Sequence, residues 1–129
     1  EPFTTIISSF WGENAGDCCY KSSCSSFFLV ETDGSITLCS RLIFLNHKLG
    51  NLEKNSWSEI LKNSILKDLN KRILEPNEEC SNCTWLEACY GGCSASGYET
   101  YGDMYQKTFY CESRKRIFKH IYNQLQTLK

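Results

Sequence analysis

The chain has 129 residues, of which 41% are hydrophobic and 13% aromatic, and this is enough for one small domain with a modest core. Fourteen Lys and Arg residues nearly balance fifteen Asp and Glu residues, so we expect neither nucleic acid nor a membrane as a partner. The apolar runs are far shorter than the roughly 20 residues that span a bilayer. No signal-peptide pattern is visible, and we therefore expect a cytoplasmic protein.

The first 17 residues predict a connector. They contain scattered apolar residues followed by a stretch rich in Gly, Asn and Asp, which is typical of a linker that ends in a turn. The chain begins with Glu1-Pro2 and no methionine, although a trimmed or proteolysed mature chain would begin in the same way. We interpret the chain as a piece of a longer protein, with residues 1–17 arriving from an upstream domain.

A β-hairpin is predicted next. The apolar runs at residues 27–30 (FFLV) and 35–38 (SITL) flank a short polar segment that ends in Asp33-Gly34. Asp-Gly between two apolar runs is a strong hairpin signal, because both residues tolerate the positive φ angles of a tight turn.

Residues 56–75 predict a central helix. Ser56 and Glu59 have the spacing of a capping box, and Glu75-Pro76 ends the pattern. Between them, apolar residues recur every three or four positions. These residues are Trp57, Ile60, Leu61, Ile65, Leu69 and Ile73.

Residues 112–128 predict a closing amphipathic helix. Its apolar stripe consists of Ile117, Ile121, Leu125 and Leu128. Four basic residues fall mostly outside this stripe, and we interpret them as solvated surface rather than a docking patch. They are Arg114, Lys115, Arg116 and Lys119.

Nine cysteines in 129 residues dominate the sequence and require an explanation by disulfides, metal ligation or redox chemistry. The later ones form the run C-x2-C-x5-C-x3-C, whose first interval lets one tight loop direct two thiolates at one metal centre. Gly91-Gly92 lies inside this run, where residues without Cβ let the backbone approach a bulky cluster. The nine are Cys18, Cys19, Cys24, Cys39, Cys80, Cys83, Cys89, Cys93 and Cys111.

Spacing alone leaves two metal interpretations open. Eight thiolates could hold two iron-sulfur clusters, or two tetrahedral zinc ions in a structural interaction module with no redox role. Disulfides are less favoured, because no secretory segment is visible and nine is an odd number. His47 and His120 compete with a full set of thiolates, and we interpret both as surface or core residues.

The cysteine intervals resemble those of the SPASM domain, the auxiliary cluster domain of many radical SAM peptide-modifying enzymes. The family pattern asks for a cysteine, nine or more residues, a glycine, four residues and a cysteine, then C-x2-C-x5-C-x3-C and a final cysteine. Leu49-Gly50-Asn51-Leu52 also resembles the family's central segment, so the likeness covers about residues 18–111. The matching residues are Cys24, Gly34, Cys39, Cys80, Cys83, Cys89, Cys93 and Cys111.

The resemblance implies two 4Fe-4S clusters and assigns their ligands. Cys18 has the spacing of one more family cysteine, and Cys93 crosses from the later run to the first cluster. Adjacent residues seldom both reach one cluster, so we interpret Cys19 as a non-ligand, and a one-residue slip that puts Cys19 in place of Cys18 is the alternative. The first cluster is then held by Cys18, Cys24, Cys39 and Cys93. The second is held by Cys80, Cys83, Cys89 and Cys111.

The predicted fold class is α+β, a small domain organised by metal clusters, with a β-hairpin, a central helix, cysteine-rich loops and a C-terminal helix. The cluster-binding domain spans residues 18–129. Its parts are 18–55 (first cluster and hairpin), 56–75 (helix), 80–111 (second cluster) and 112–128 (C-terminal helix).

The resemblance further implies an auxiliary domain of a radical SAM peptide maturase, which handles electrons or docks substrate. No C-x3-C-x2-C run is present, so S-adenosylmethionine would bind only in the parent enzyme, and no residue of this chain is predicted to be catalytic. The implied partners are an upstream radical SAM domain, a peptide or protein substrate and an electron donor protein.

One position departs from a branch of the family. In the sulfatase-maturing branch, the residue after the hairpin cysteine is an aspartate that accepts a proton from the substrate. Here that residue is Ser40, which is no comparable base at neutral pH. We therefore expect a relation to other peptide maturases, such as those that form thioether or carbon-carbon links.

Overall fold

The computed structural model describes residues 2–13, 16–20 and 23–127, with the backbone alone at Pro2. Short helices surround one small sheet, which makes the fold α+β. The helices are α1 (Pro2–Phe10), α2 (Ser40–Phe44), α3 (Trp57–Leu61), α4 (Ser64–Leu74), α5 (Glu78–Ser81), α6 (Leu86–Cys89), α7 (Ser94–Tyr101) and α8 (Cys111–Thr127). The strands are β1 (Leu29–Val30), β2 (Ser35–Thr37) and β3 (Gly50–Asn51), and 3-10 turns span Cys18–Tyr20 and Cys24–Ser26.

Strands β1 and β2 pair antiparallel around the Asp33-Gly34 turn, as the Asp-Gly signal predicts. The Asp33 carboxylate accepts the backbone N–H of Ser35 at 2.9 Å, and Gly34 has φ +76°. β3 was not predicted, and it pairs antiparallel with β2 to give the order β1-β2-β3. All three residues of β2 are buried, so the central strand carries the sheet's contribution to the core.

The single helix predicted at residues 56–75 is wrong, because this segment forms two helices. The Ser56–Glu59 capping box is present and starts α3. Asn63 then accepts the backbone N–H of Ile65 at 2.9 Å and donates to the Leu49 carbonyl at 2.9 Å. A second N-cap thus starts α4 in a new direction. Trp57, predicted on the core face, is 47% exposed.

The main core packs the sheet against α2, α3, α4 and α7. The buried face of α4 includes a charged residue, Arg72, three positions after Leu69. The apolar residues of the main core are Ile36, Leu38, Leu42, Leu49, Ile60, Leu66, Leu69, Ala95 and Met104.

A second, smaller core joins the two ends of the chain. Ile6 of α1 packs with Phe118 and Ile121 of α8, and Phe10 and Trp85 surround them. The segment interpreted as a connector, residues 1–17, therefore contains a packed helix rather than a plain linker. That it follows an upstream domain stays a prediction.

The face of the C-terminal helix differs from the predicted stripe. Ile121 is buried as expected, but Ile117 is 41% exposed and its neighbour Phe118 is fully buried. Arg114, interpreted as solvated surface, is partly buried against the ring of Tyr20. The aromatic cluster around Phe118 sets the rotation of α8, and Leu128 lies outside the described residues.

Within the described ranges, no helix is long and apolar enough to cross a membrane.

Two candidate cluster sites

Eight of the nine cysteines are gathered around two cavities, four at each. The cavities are similar in size, with about 400 and about 380 Å³ of space that no protein atom fills, part of it open to solvent. We call the set Cys18, Cys24, Cys39 and Cys93 the first site. The second site is the set Cys80, Cys83, Cys89 and Cys111. These are the two sets that the resemblance implies, and their ligation of a cluster stays a prediction.

The first site is assembled from distant parts of the chain. Cys39 ends the hairpin as the N-cap of α2, and Cys93 is the N-cap of α7. The Cys24 sulfur lies 4.0 Å from the Ser94 hydroxyl, and Arg41 reaches the Cys93 sulfur at 3.6 Å from the exposed side. Otherwise the walls are apolar side chains from the main core and the hairpin. These are Phe27, Leu38, Leu42, Leu69 and Ala95.

The pKa values of two thiols in the first site shift in opposite directions. A side-chain hydrogen bond with Cys18 lowers the pKa of the Cys24 thiol to about 6. The same bond raises the pKa of Cys18, and burial raises it further.

The second site is local in sequence. Asn77 caps α5 by accepting the backbone N–H of Cys80 at 3.0 Å, and this places Cys80 at the cavity. Cys89 ends α6, and Cys111 begins α8. Burial raises the pKa of Cys111, and Lys115 and Lys107 oppose that rise. Aromatic and charged side chains complete the lining, among them Trp85, Phe118, Lys107, Arg114 and Lys115.

The Gly91-Gly92 turn connects the two sites. Both glycines have φ +74°, where a side chain would be strained. A Cβ atom at Gly92 would lie 2.5 Å from the Thr108 methyl group, and one at Gly91 would lie 2.8 Å from Nη2 of Arg72 and 3.5 Å from the Cys80 sulfur. The glycines therefore allow Thr108 and Arg72 to approach, in addition to the close approach to a cluster that the sequence suggested.

Cys19 lines neither cavity. Arg114 holds it by donating from Nη2 to the Cys19 carbonyl at 2.9 Å and from Nη1 to its sulfur at 3.7 Å. His47 packs on the ring of Tyr98 with centroids 4.2 Å apart, and His120 is exposed on α8.

Sequence reasoning missed Arg72, which is 5% exposed and lies between the two sites. Its guanidinium donates to the carbonyls of Gly91, Gly92 and Gln106 and to the Ser94 hydroxyl. Arg72 follows Leu69 by three residues and so lies on the same face of α4, and this spacing is the signal that could have revealed its burial.

The donor set of each site fits a cluster bound by four thiolates. Across the described residues, no three His, Cys, Asp or Glu side chains converge closely enough to hold a single ion, and the four thiols of each site surround a cavity. Arg114 lines the second cavity, and its Nε is buried without a hydrogen-bond acceptor among the described residues. A buried donor without a partner is costly, and an anionic cluster in this cavity would offer it acceptors.

Comparisons with known proteins point to one family. A model of SPASM, an iron-sulfur cluster-binding domain, matches residues 18–84. The cysteine-type anaerobic sulfatase-maturating enzyme of Clostridium novyi (strain NT) is 28% identical over 117 residues, which cover 91% of this chain and 31% of the relative. The serine-type enzyme of Klebsiella pneumoniae is 27% identical over 97 residues, covering 72% and 24%. The chain thus spans about a third or less of the length of these relatives.

A solved structure shares the fold. Native anSMEcpe with bound AdoMet matches with a TM-score of 0.72 and 23% identity, over 100% of this chain and 36% of that one. The relation to other peptide maturases that we expected from Ser40 finds no support among these relatives. The overall similarity is to sulfatase-maturating enzymes, whereas Ser40, which is exposed at the start of α2, was expected to argue against that branch.

Proposed function

Since the chain belongs to the SPASM family of iron-sulfur cluster-binding domains, we propose that it holds two 4Fe-4S clusters, one at each four-cysteine site. The family match confirms the resemblance found in the cysteine intervals. The number of clusters and their ligands are the proposed part. The observation that supports them most is the gathering of eight thiols around two cavities in fours.

The proposed role is electron transfer within a larger enzyme. Clusters bound in this way exchange single electrons at potentials that the surrounding protein sets. Four thiolates for each cluster leave no ligand position open, which favours electron transfer over direct binding of a substrate at iron. Leu38, Leu42 and Leu69 wall the first site, and Trp85 and Phe118 the second, so the thiolates are shielded from water on those sides.

We further propose that the parent protein is a radical SAM enzyme that modifies a peptide or protein. The relatives are sulfatase-maturating enzymes, and the chain spans only part of them. The sequence has no C-x3-C-x2-C run, so S-adenosylmethionine and the start of radical chemistry belong to another part of the parent protein. A one-electron partner protein completes the proposed path. Ser40 leaves any substrate proton to be accepted by another group.

The decisive experiment is anaerobic reconstitution followed by metal and sulfide analysis. We expect about eight irons and about eight sulfides for each copy of the chain, with the spectroscopic signature of cubane clusters. About two zinc ions without sulfide would contradict the proposal and would support the structural zinc module instead.

A further inference from the structure

Arg72 is a buried cation with four hydrogen bonds and, among the described residues, no carboxylate partner. Its distances to the Gly91 and Gly92 carbonyls are 2.7 and 3.0 Å, and Ser94 Oγ lies at 2.8 Å. Every acceptor that the structure gives this guanidinium is a neutral oxygen, in the described part of the chain. Burying an unpaired charge is expensive, and neutral oxygens offset only part of that cost. The location therefore implies negative charge nearby.

That negative charge would come from both sites at once. On one side, the Ser94 hydroxyl that Arg72 contacts lies 4.0 Å from the Cys24 sulfur of the first site. On the other side, a Cβ atom placed on Gly91 would lie 2.8 Å from Nη2 of Arg72 and 3.5 Å from the Cys80 sulfur of the second site. Arg72 and Cys80 therefore approach the same side of Gly91.

Burial and the thiols act on Arg72 in opposite directions. Burial lowers the pKa of Arg72, and thiols of both sites oppose that effect. They are Cys24 and Cys93 of the first site and Cys80 and Cys89 of the second.

We propose that Arg72 is the shared counter-charge of the two clusters and raises the reduction potential of both. The inference rests on the proposed function, because it needs clusters at both sites. A reduced cluster carries one more negative charge than an oxidised one, so a fixed cation stabilises the reduced form. The effect is strong because Arg72 is buried, and a buried charge is screened less than an exposed one. One residue thereby holds the two potentials high together.

The test compares two substitutions in the intact, anaerobically reconstituted protein. Arg72→Lys keeps the charge, whereas Arg72→Gln keeps a hydrogen-bond donor for the carbonyls and removes the charge. Arg116→Gln, an exposed change on α8, is the matched control. Iron and sulfide are counted first, and each potential is then measured by redox titration monitored by electron paramagnetic resonance.

We expect Arg72→Gln to lower the equilibrium constant for reduction of both clusters at least tenfold, which is 59 mV for a one-electron couple. Arg72→Lys should stay within threefold of the unchanged protein, as should Arg116→Gln. Equal shifts in the Lys and Gln variants, unchanged potentials in Arg72→Gln, or a shift of only one cluster would each overturn the inference.

The amount of iron that each variant retains also tests the role of Arg72. If Arg72→Gln fails to retain iron, retention by Arg72→Lys supports the counter-charge, and equal loss in both variants contradicts it. Absence of iron and sulfide in the unchanged protein would overturn the proposed function as well, whereas full loading with unmoved potentials would overturn the role of Arg72 alone.

Discussion

The two cysteine sites are built in different ways from the same kind of ligand. The first site joins thiols from residue 18 to residue 93 and is walled by the main core. The second site has its four cysteines within residues 80–111. Three cations, Lys107, Arg114 and Lys115, line its cavity together with one carboxylate, Glu79, which pairs with Lys107. Among the described residues, no charged side chain lines the first cavity, although exposed Arg41 reaches Cys93 from outside.

This difference suggests that the two sites contribute to different properties of the domain. The first site ties distant segments together, so its integrity should govern the stability of the whole domain. The second site closes a short stretch of chain, and cations outnumber carboxylates around its cavity. Its surroundings should therefore set the reduction potential of the cluster that it holds. If both hold clusters, the cations at the second site favour its reduced form relative to that of the first.

Removal of one ligand from each site should have the largest effect. Cys39→Ser should lose about four of eight irons, and Cys83→Ser should lose the other four. Cys39→Ser should also destabilise the protein more, by roughly 1 kcal/mol beyond Cys83→Ser, because a cross-link between more distant segments constrains a longer loop. Iron analysis and chemical unfolding measure the two effects.

Cys19→Ser is the control for both cysteine substitutions, since Cys19 lines neither cavity, and it should retain all the iron. Loss of all eight irons from either single-site variant would show that the sites do not load independently and would contradict the different contributions of the two sites.

A second substitution should damage both sites together. Gly92→Ala places a methyl group 2.5 Å from the Thr108 methyl at φ +74°, and we expect a cost of roughly 3 kcal/mol from strain and overlap. Gly12→Ala has a similar φ of +66° with open space around it, so it should cost only about 1 kcal/mol. Thermal unfolding midpoints at one heating rate compare them. Equal decreases in the unfolding midpoints of the two variants would contradict a steric role for the Gly91-Gly92 turn.

The smallest expected effect is on the reduction potential of the second cluster. Arg114→Gln removes a cation from the second cavity and should lower the equilibrium constant for reduction of that cluster about tenfold, or ~59 mV. The first cluster should keep its potential, and the Cys39→Ser protein identifies which signal belongs to the second. Arg116→Gln is the exposed control. Equal shifts of both clusters would mean that Arg114 does not distinguish the sites.

Cysteine spacing allowed most of the site to be predicted. The grouping of Cys93 with the early cysteines came from the family resemblance, since spacing alone places Cys93 in the later run. The hairpin followed from Asp33-Gly34, and the start of α3 followed from Ser56 and Glu59, because these signals act through local hydrogen bonds. The iron-sulfur family follows from the same intervals.

Tertiary packing decides the features that the sequence did not reveal. Nothing local distinguishes Asn63 as a second helix cap from an ordinary polar residue within one helix. The rotation of α8, which buries Phe118 and exposes Ile117, depends on Phe10 and Trp85 from other segments. The position of Arg72 three residues after Leu69 could have indicated its burial, but its partners in the glycine turn and in α7 are brought together only by the fold.

The position of Cys93 has a consequence for how such a protein would mature in the cell. Cys93 follows three of the four second-site cysteines along the chain, yet it faces the first cavity as the N-cap of α7. Occupying the second site would fix Cys89, order the glycine turn and present Cys93. Filling the second site should then speed insertion at the first without being required for it, so a chain that cannot fill the second site would mature slowly at the first rather than stay empty there.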